Sequence, residues 1–463
     1  MDTTRDPAHA TGPDDWHAPL TGTSQAATLG TRAETVLGDI TAHRDRARTT
    51  EAVLRSARPV RDPELVQIHA EAGRFYQACL AGSWVPAYLA DRGLSAALLP
   101  TSPWKIGYAP ASWTILTEHL RGLGHCDAAL LCSGLVVNGR NGQLRDHFYD
   151  RLMIPLRAED GYVTGFIGRR HPAAGEDYGP KYLNSPDTAI FTKGRILAGL
   201  AEARHAFGQG ARPVLTEGPL DAIAVSIAAP GHYAGVAPCG TALTGDQVAA
   251  LARALPLADR GVLVAFDGDT AGRNAAVRAY SLLVPVTSRL TTVTFPDGTD
   301  PASLLQTAGR SVLRDTLSGS TRPLADLVVD SRVDDWAHGR DLIFAELQIG
   351  ALRAAATIIA TMPPEHAGPQ AARLCTQFAE RYGWKPQEVT TVLIDAIERH
   401  HLAATPPIPP IPPSPWAAWT AVNRAIAPPR QSADGTRTEP NQRPRLTLIR
   451  SASRERELTR SGS

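Results

Sequence analysis

The chain has 463 residues, 43% of them hydrophobic and 20% charged, which is enough for two or three packed units and excludes a single small domain. Its 47 basic residues stand against 46 acidic ones, so bulk charge neither favours nor excludes a nucleic-acid partner, and any basic surface must be local. No apolar run is long enough to cross a bilayer, and the five cysteines at 79, 126, 132, 239 and 375 contain no CxxC pair, so neither a disulfide framework nor zinc is expected.

Residues 1 to about 60, rich in Thr, Ala, Asp and Arg, read as a mobile extension with a weak helix over 33–47. The segment from Met1 to Trp16 has neither a secretory nor a transit pattern, so a cytoplasmic protein is expected. From Pro63, Leu65, Ile68, Ala72, Phe75, Tyr76 and Cys79 recur at helical spacing, followed by Tyr88-Leu89 and 94–99. Between about 104 and 175, short apolar runs at 135–137, 152–156 and 162–167 are separated by Gly and Asp turns and predict a small mixed or antiparallel region.

From 212 to 305 the rhythm changes to strand-like runs at 214–216, 233–237, 261–266 and 289–295, with helices near 220–228, 245–255 and 271–284 between them. Alternation of this kind, with almost wholly apolar strands, predicts a parallel sheet covered on both faces. Helices are expected beyond 323, clearest over 342–359 and 371–382. Pro fills seven of the ten positions 406–415, and eight Arg face four acids over 430–463, which predicts a semi-rigid spacer and a basic, disordered tail. The expected architecture is therefore α/β: an extension 1–60, a mixed α+β subdomain 61–208, a parallel-sheet domain 209–310, a helical region 311–402, and a linker and tail 403–463.

In parallel α/β sheets ligands bind beyond the carboxyl ends of the strands, and the acids of this chain fall there. Glu217 ends the first strand and Asp221 lies four residues on; Asp267-Gly268-Asp269 ends the third; Pro296-Asp297-Gly298-Thr299-Asp300 follows the fourth. Singly, Asp269 reads equally well as a helix cap, and Glu217 or Asp221 as an acid favouring a helix N-terminus. Together, facing carboxylates stay ionised only around a cation, and hard oxygen ligands point to Mg²⁺ or Mn²⁺ serving a polyphosphate reaction.

The acids Glu217 and Asp267-Gly268-Asp269 resemble the metal-binding motif of TOPRIM domains. Lys181-Tyr182-Leu183-Asn184-Ser185, Phe191-Thr192-Lys193-Gly194, Gly107-Tyr108-Ala109-Pro110, Asp150-Arg151-Leu152-Met153-Ile154-Pro155 and Gly165-Phe166-Ile167-Gly168-Arg169 are similar, in order, to the catalytic core of bacterial DnaG-type primases. The resemblance covers about 65–310 and departs from the family in two ways: the chain has no zinc-ribbon ligands before residue 79, and Ala302 stands where the family often has an acid.

The resemblance implies a nucleotidyltransferase making short RNA primers on single-stranded DNA from nucleoside triphosphates. Glu217, Asp267 and Asp269 are implied as catalytic, and Asp221 and Asp300 join them as metal ligands. Arg151, Arg169, Lys181, Tyr182, Asn184 and Lys193 are implied in nucleotide or template contacts. Lys181 and Lys193 are two of only four lysines in this Arg-rich chain, although a surface Lys is ordinarily just solvated. A replicative helicase is a candidate partner, and the missing zinc module suggests an accessory or mobile-element primase. Two other readings compete: a haloacid-dehalogenase-like phosphohydrolase, because 267–270 also spells a DxDxT-type loop, and a non-catalytic TOPRIM adaptor that binds nucleic acid.

Overall fold

The computed structural model describes residues 62–404, apart from 140–141, 176–177, 241, 297 and 340–341, and the side chains of 401–404. The expectations for 1–60, for the Pro-rich linker beyond 404, for the basic tail and for Asp297 lie outside the described residues.

The helical spacing that begins at Pro63 forms the helix Asp62–Ala78, which buries Leu65, Ile68, Ala72 and Tyr76. Its apolar stripe packs on a four-stranded sheet in the order β1 (Gly107–Ala109), β4 (Arg151–Arg157), β5 (Val163–Arg170), β6 (Tyr182–Asn184), antiparallel throughout. Tyr76 meets Phe166 edge to face at 5.3 Å at the centre of that contact. A separate ribbon pairs β2 (Val136–Asn138) with β3 (Leu144–Asp146).

Two helices, Ile115–Gly122 and Asp127–Ser133, lie in the stretch expected to be mixed or antiparallel, where the sequence named no helix. The first is held by a distant residue. Buried Asp146, at the end of β3, accepts the backbone N–H groups of Leu116 and Thr117, satisfying donors that open every helix. No sequence-local signal announces a cap supplied from about 30 residues away.

The α/β alternation gives a six-stranded sheet in the order β12 (Thr321–Pro323), β11 (Leu290–Val293), β10 (Val262–Val264), β8 (Arg212–Leu215), β9 (Tyr233–Pro238), β7 (Leu197–Ala198). The central four strands are parallel, as expected, and both edge strands are antiparallel. β10 ends at Val264, two residues before the apolar run does. The two faces carry different helices. Gly245–Ala254 and Thr270–Leu283 share a core with the C-terminal helices Leu324–Ala337, Ala345–Ile359, Pro364–Tyr382 and Pro386–Ala404. Pro219–Ala228 and Pro301–Gly319 share the other with Val85, Leu89, Trp104, Leu152 and Ile154 of the preceding subdomain. This second core continues across the junction, so the small antiparallel sheet is fixed against the larger one. Among the described residues no helix is long and apolar enough to cross a membrane.

Candidate active site

β8 and β10 are parallel neighbours, so residues just past their carboxyl ends must meet. Glu217 Oε1 accepts the backbone N–H of Asp267 at 3.1 Å. The helix Pro219–Ala228 opens with Pro, whose missing N–H is no loss in a first turn, and carries Asp221 in that same turn. Asp221 Oδ1 accepts the backbone N–H of Ala302 at 3.1 Å. Asp269 caps Thr270–Leu283 through the N–H of Gly272 at 2.8 Å, and Asp300 caps Pro301–Gly319 through Ser303. The reading of Asp269 as a helix cap therefore describes one of its oxygens.

Two glycines allow this crowding. A Cβ on Gly272 would lie 2.2 Å from the Asp267 carbonyl and 2.8 Å from Glu217 Oε1, and one on Gly268 would lie 2.5 Å from the Pro296 carbonyl. Only glycine lets these backbones approach so closely.

Glu217, Asp221, Asp267 and Asp300 line one wall of a cleft of about 270 Å³; Arg92, Arg169, Lys181, Tyr182 and Asn184 line the other. Exposed Asp269 stands just outside that lining, yet its charge acts on both Glu217 and Asp267. Burial, then repulsion from Glu217, Asp300 and Asp269, pushes the Asp267 carboxyl up to about 7. Burial, then Asp300, pushes Asp221 up to about 8, and Glu217 is raised chiefly by burial. Among the described residues no three His, Cys, Asp or Glu side chains converge tightly enough to hold an ion as they stand. Mutual repulsion of the kind these shifts record is a physical reason for carboxylates to stand apart, and an all-oxygen donor set of this charge suits a hard divalent cation rather than zinc.

The basic wall is preorganised. Arg169, only 8% exposed, donates to the Tyr182 hydroxyl at 2.7 Å and lies over the rings of Tyr88 and Tyr182, while its Nε is buried without a partner. Asn184 donates to the Cys239 carbonyl at 3.0 Å, leaving its Oδ1 buried and unpartnered. Lys181 is exposed, and its charge lowers the Asp267 carboxyl against the repulsion around it.

Two expected contacts are not brought to this cleft. Arg151 is 3% exposed, and its guanidinium donates to the carbonyls of Gly168, Pro180 and Tyr178, which ties β4 to the segment entering β6. Lys193, half-buried in a short helical turn, lies outside the cleft lining, with its backbone bonded to Asp187 and Gln247. Conversely, Arg92 joins the cleft although its sequence neighbours gave only a helical pattern.

An aromatic row was also missed. Trp113, 45% exposed, stacks on Tyr149 with centroids 4.4 Å apart, Tyr149 stacks on exposed Tyr178, and the Arg145 guanidinium covers Trp113. These residues are dispersed over 65 positions, so only folding assembles the row. A larger hollow of about 730 Å³ lies among the C-terminal helices, but its Asp330 is already ion-paired with Arg322 and Arg373, and Arg381 is the one cation among the lining residues described.

Residues 75–204 match the family model for the DNA primase catalytic core, N-terminal domain, and residues 214–305 match a Toprim-like model. The RNA polymerase domain of the Mycobacterium tuberculosis primase DnaG, solved with double-stranded DNA, superposes with a TM-score of 0.58 at 31% identity, covering 68% of this chain and 98% of that one. The chain belongs to the DnaG-type DNA primase family. A DnaG primase catalytic domain solved bound to single-stranded DNA has a TM-score of 0.54 at 29% identity, covering 69% of this chain and 96% of that one. Among curated relatives, the DNA primase of Streptomyces coelicolor is 39% identical over 56% of this chain and 40% of its own length, and that of Neisseria meningitidis serogroup A is 34% identical over 68% and 50%. The chain thus spans half or less of these primases. Asp267-Gly268-Asp269 falls inside the Toprim-like match, which leaves the phosphohydrolase reading without support.

Proposed function

We propose that the chain synthesises short RNA primers on single-stranded DNA, using Mg²⁺ or Mn²⁺ and nucleoside triphosphates. The observation that carries this reading is one cleft with four carboxylates on one wall and three cations on the other. Glu217, Asp267 and Asp269 are the catalytic acids that would hold the ions, with Asp221 and Asp300 completing the donor set after side-chain rotation. Such ions, when bound, would stabilise charge on the attacking and leaving oxygens.

The remaining steps belong to the chain's own residues. Arg92, Arg169 and Lys181 neutralise the triphosphate, with Tyr182 fixing the Arg169 guanidinium. Asn184 lines the cleft, where a turn of its amide would bring the unpartnered Oδ1 to a ribose hydroxyl, a contact that would favour ribonucleotides. In the reaction, the 3′-hydroxyl oxygen bonds to the α-phosphorus, the bond from that phosphorus to pyrophosphate breaks, and the hydroxyl proton passes to solvent. Trp113, Tyr149 and Arg145 suit a template strand, because stacking and cation contacts accept any base. Arg151 and Lys193 act on the shape of this region rather than on the triphosphate. A replicative helicase as partner and an accessory role in the cell extend this proposal.

The test is incubation of the whole chain with unprimed single-stranded DNA of varied sequence, four labelled ribonucleotides and Mg²⁺ or Mn²⁺, with products sized on a gel. Template-dependent short RNA is expected. No product with either ion on any template would overturn the reading, and a non-catalytic adaptor would then remain.

A further inference from the structure

Glu217 borders two hollows. Besides the cleft with Lys181, it lines one of about 390 Å³, walled by Phe266, Leu243, Ala271 and Ala275, with Arg278 as the one cation among the lining residues described. Its position follows from the topology. β8 runs into Pro219–Ala228 on one face of the sheet, whereas its neighbours β9 and β10 run into Gly245–Ala254 and Thr270–Leu283 on the other. Where successive connections diverge, a crevice opens at the carboxyl ends of the strands, and ligands of α/β sheets sit there.

We propose that this second hollow, on the primer-synthesis reading above, holds the 3′-terminal nucleotide of the growing strand, with Arg278 on its phosphate. Charge distributes the two reactants between the two hollows. The Lys181 side offers three cations, suited to a triphosphate, while this side offers one, suited to a single phosphodiester. Both share Glu217 and Gly240, so ligands filling them meet at the acids, where acceptor oxygen and α-phosphorus must meet. Arg278 is exposed, and its guanidinium meets no acceptor among the described residues; its charge is felt by Glu217. The wall of Phe266, Leu243 and alanines offers no base-reading polar group, as fits a subsite that must take any terminal base. The hollow is of the size of small-molecule pockets, roughly 300–1,000 Å³.

The experiment compares two labelled probes by fluorescence anisotropy without free nucleotides: a DNA template alone, and the same template carrying a short RNA with a recessed 3′ end. The full-length wild type, Arg278→Gln and Ala271→Leu, which fills the hollow from an exposed helix position, are measured on both. The wild type should prefer the primed template, and both variants should lose that preference, with affinity for the primed probe falling roughly tenfold, the scale of one charge-assisted hydrogen bond. Affinity for the unprimed strand should hold. Equal losses on both probes would make Arg278 a template contact, and no preference in the wild type would leave no 3′-end subsite; either result overturns the assignment. A wild type that prefers the recessed end yet incorporates no nucleotide supports the subsite and overturns primer synthesis instead.

Discussion

The Glu217 carboxylate holds the backbone N–H of Asp267 at 3.1 Å, so one candidate metal ligand positions the next. A substitution at Glu217 therefore has a structural and a catalytic consequence, and the two separate by choice of residue. Glu217→Gln keeps an acceptor for that N–H, whereas Glu217→Ala leaves the donor without it, at a cost of about 1–3 kcal/mol. In chelator, thermal melting should place Glu217→Gln at or above the wild type and Glu217→Ala below it. The helix-capping acids should divide similarly: Asp269→Asn and Asp300→Asn hold, while the Ala variants lose about 1 kcal/mol. Equal melting of Ala and amide variants would show that these bonds carry no weight.

Metal-free stability should fall as pH rises. Asp267 at about 7 and Asp221 at about 8 keep protons in the folded chain that the unfolded chain has already released above its ordinary carboxylate values near 4. The resulting stabilisation is complete below about pH 4 and is lost as pH passes through 7 to 8. The melting temperature in chelator should drop by roughly 2–5 °C between about pH 6 and pH 8.5, and Mg²⁺ should flatten the curve. Conversely, ion affinity measured by calorimetry should rise with pH, by up to about tenfold per unit for each proton displaced. A melting temperature that climbs with pH in chelator would contradict the clustered-carboxylate picture.

Lys181 and Lys193, alike in sequence, should behave differently. Lys181 lines the cleft and acts on Asp267, and Lys193 does not line it. Lys181→Ala should raise KM for nucleotides about tenfold, with Lys193→Ala raising it much less. Lys181→Arg should rescue only in part if a compact ammonium is needed. Equal effects of both Ala variants on steady-state KM would count against the cleft as the triphosphate site.

Trp113 and Tyr149 should matter for template and not for the nucleotide. Trp113→Ala should weaken single-stranded DNA binding by about 1–3 kcal/mol, the scale of one base stack, with KM for nucleotides unchanged. Loss of nucleotide affinity with template affinity intact would reverse that assignment.

The parallel sheet and its strand-ending acids were legible because both rest on local rules: apolar runs of strand length, and polar residues where strands stop. What remained hidden rests on long-range contact. The resemblance implied Arg151 as a nucleotide or template contact, but a sequence shows charge and not burial, and three backbone carbonyls consume its guanidinium. The first half of Pro301–Gly319 lies ahead of the helical region expected from 311, and Gly309 interrupts its helical geometry with a φ of 85°. The clear helical pattern begins only at 371 because Pro363, Pro364 and Pro369 interrupt the spacing before it, although Pro364 sits in a first turn. The Trp113 row had no local signature at all, since its members come from separate segments, and Arg92 meets Tyr88 one turn earlier while the rest of its cleft comes from other segments.

The most direct measurement is labelled ribonucleotide incorporation on an unprimed single-stranded template by the wild-type chain and by Glu217→Gln, side by side at matched Mg²⁺. Glu217→Gln retains the acceptor for Asp267 and loses one charge from the cleft. Short RNA from the wild type, reduced at least about a hundredfold in the variant with no loss of melting temperature, is the predicted result. Equal synthesis by both would contradict the assignment of this cleft as the site where primers are made.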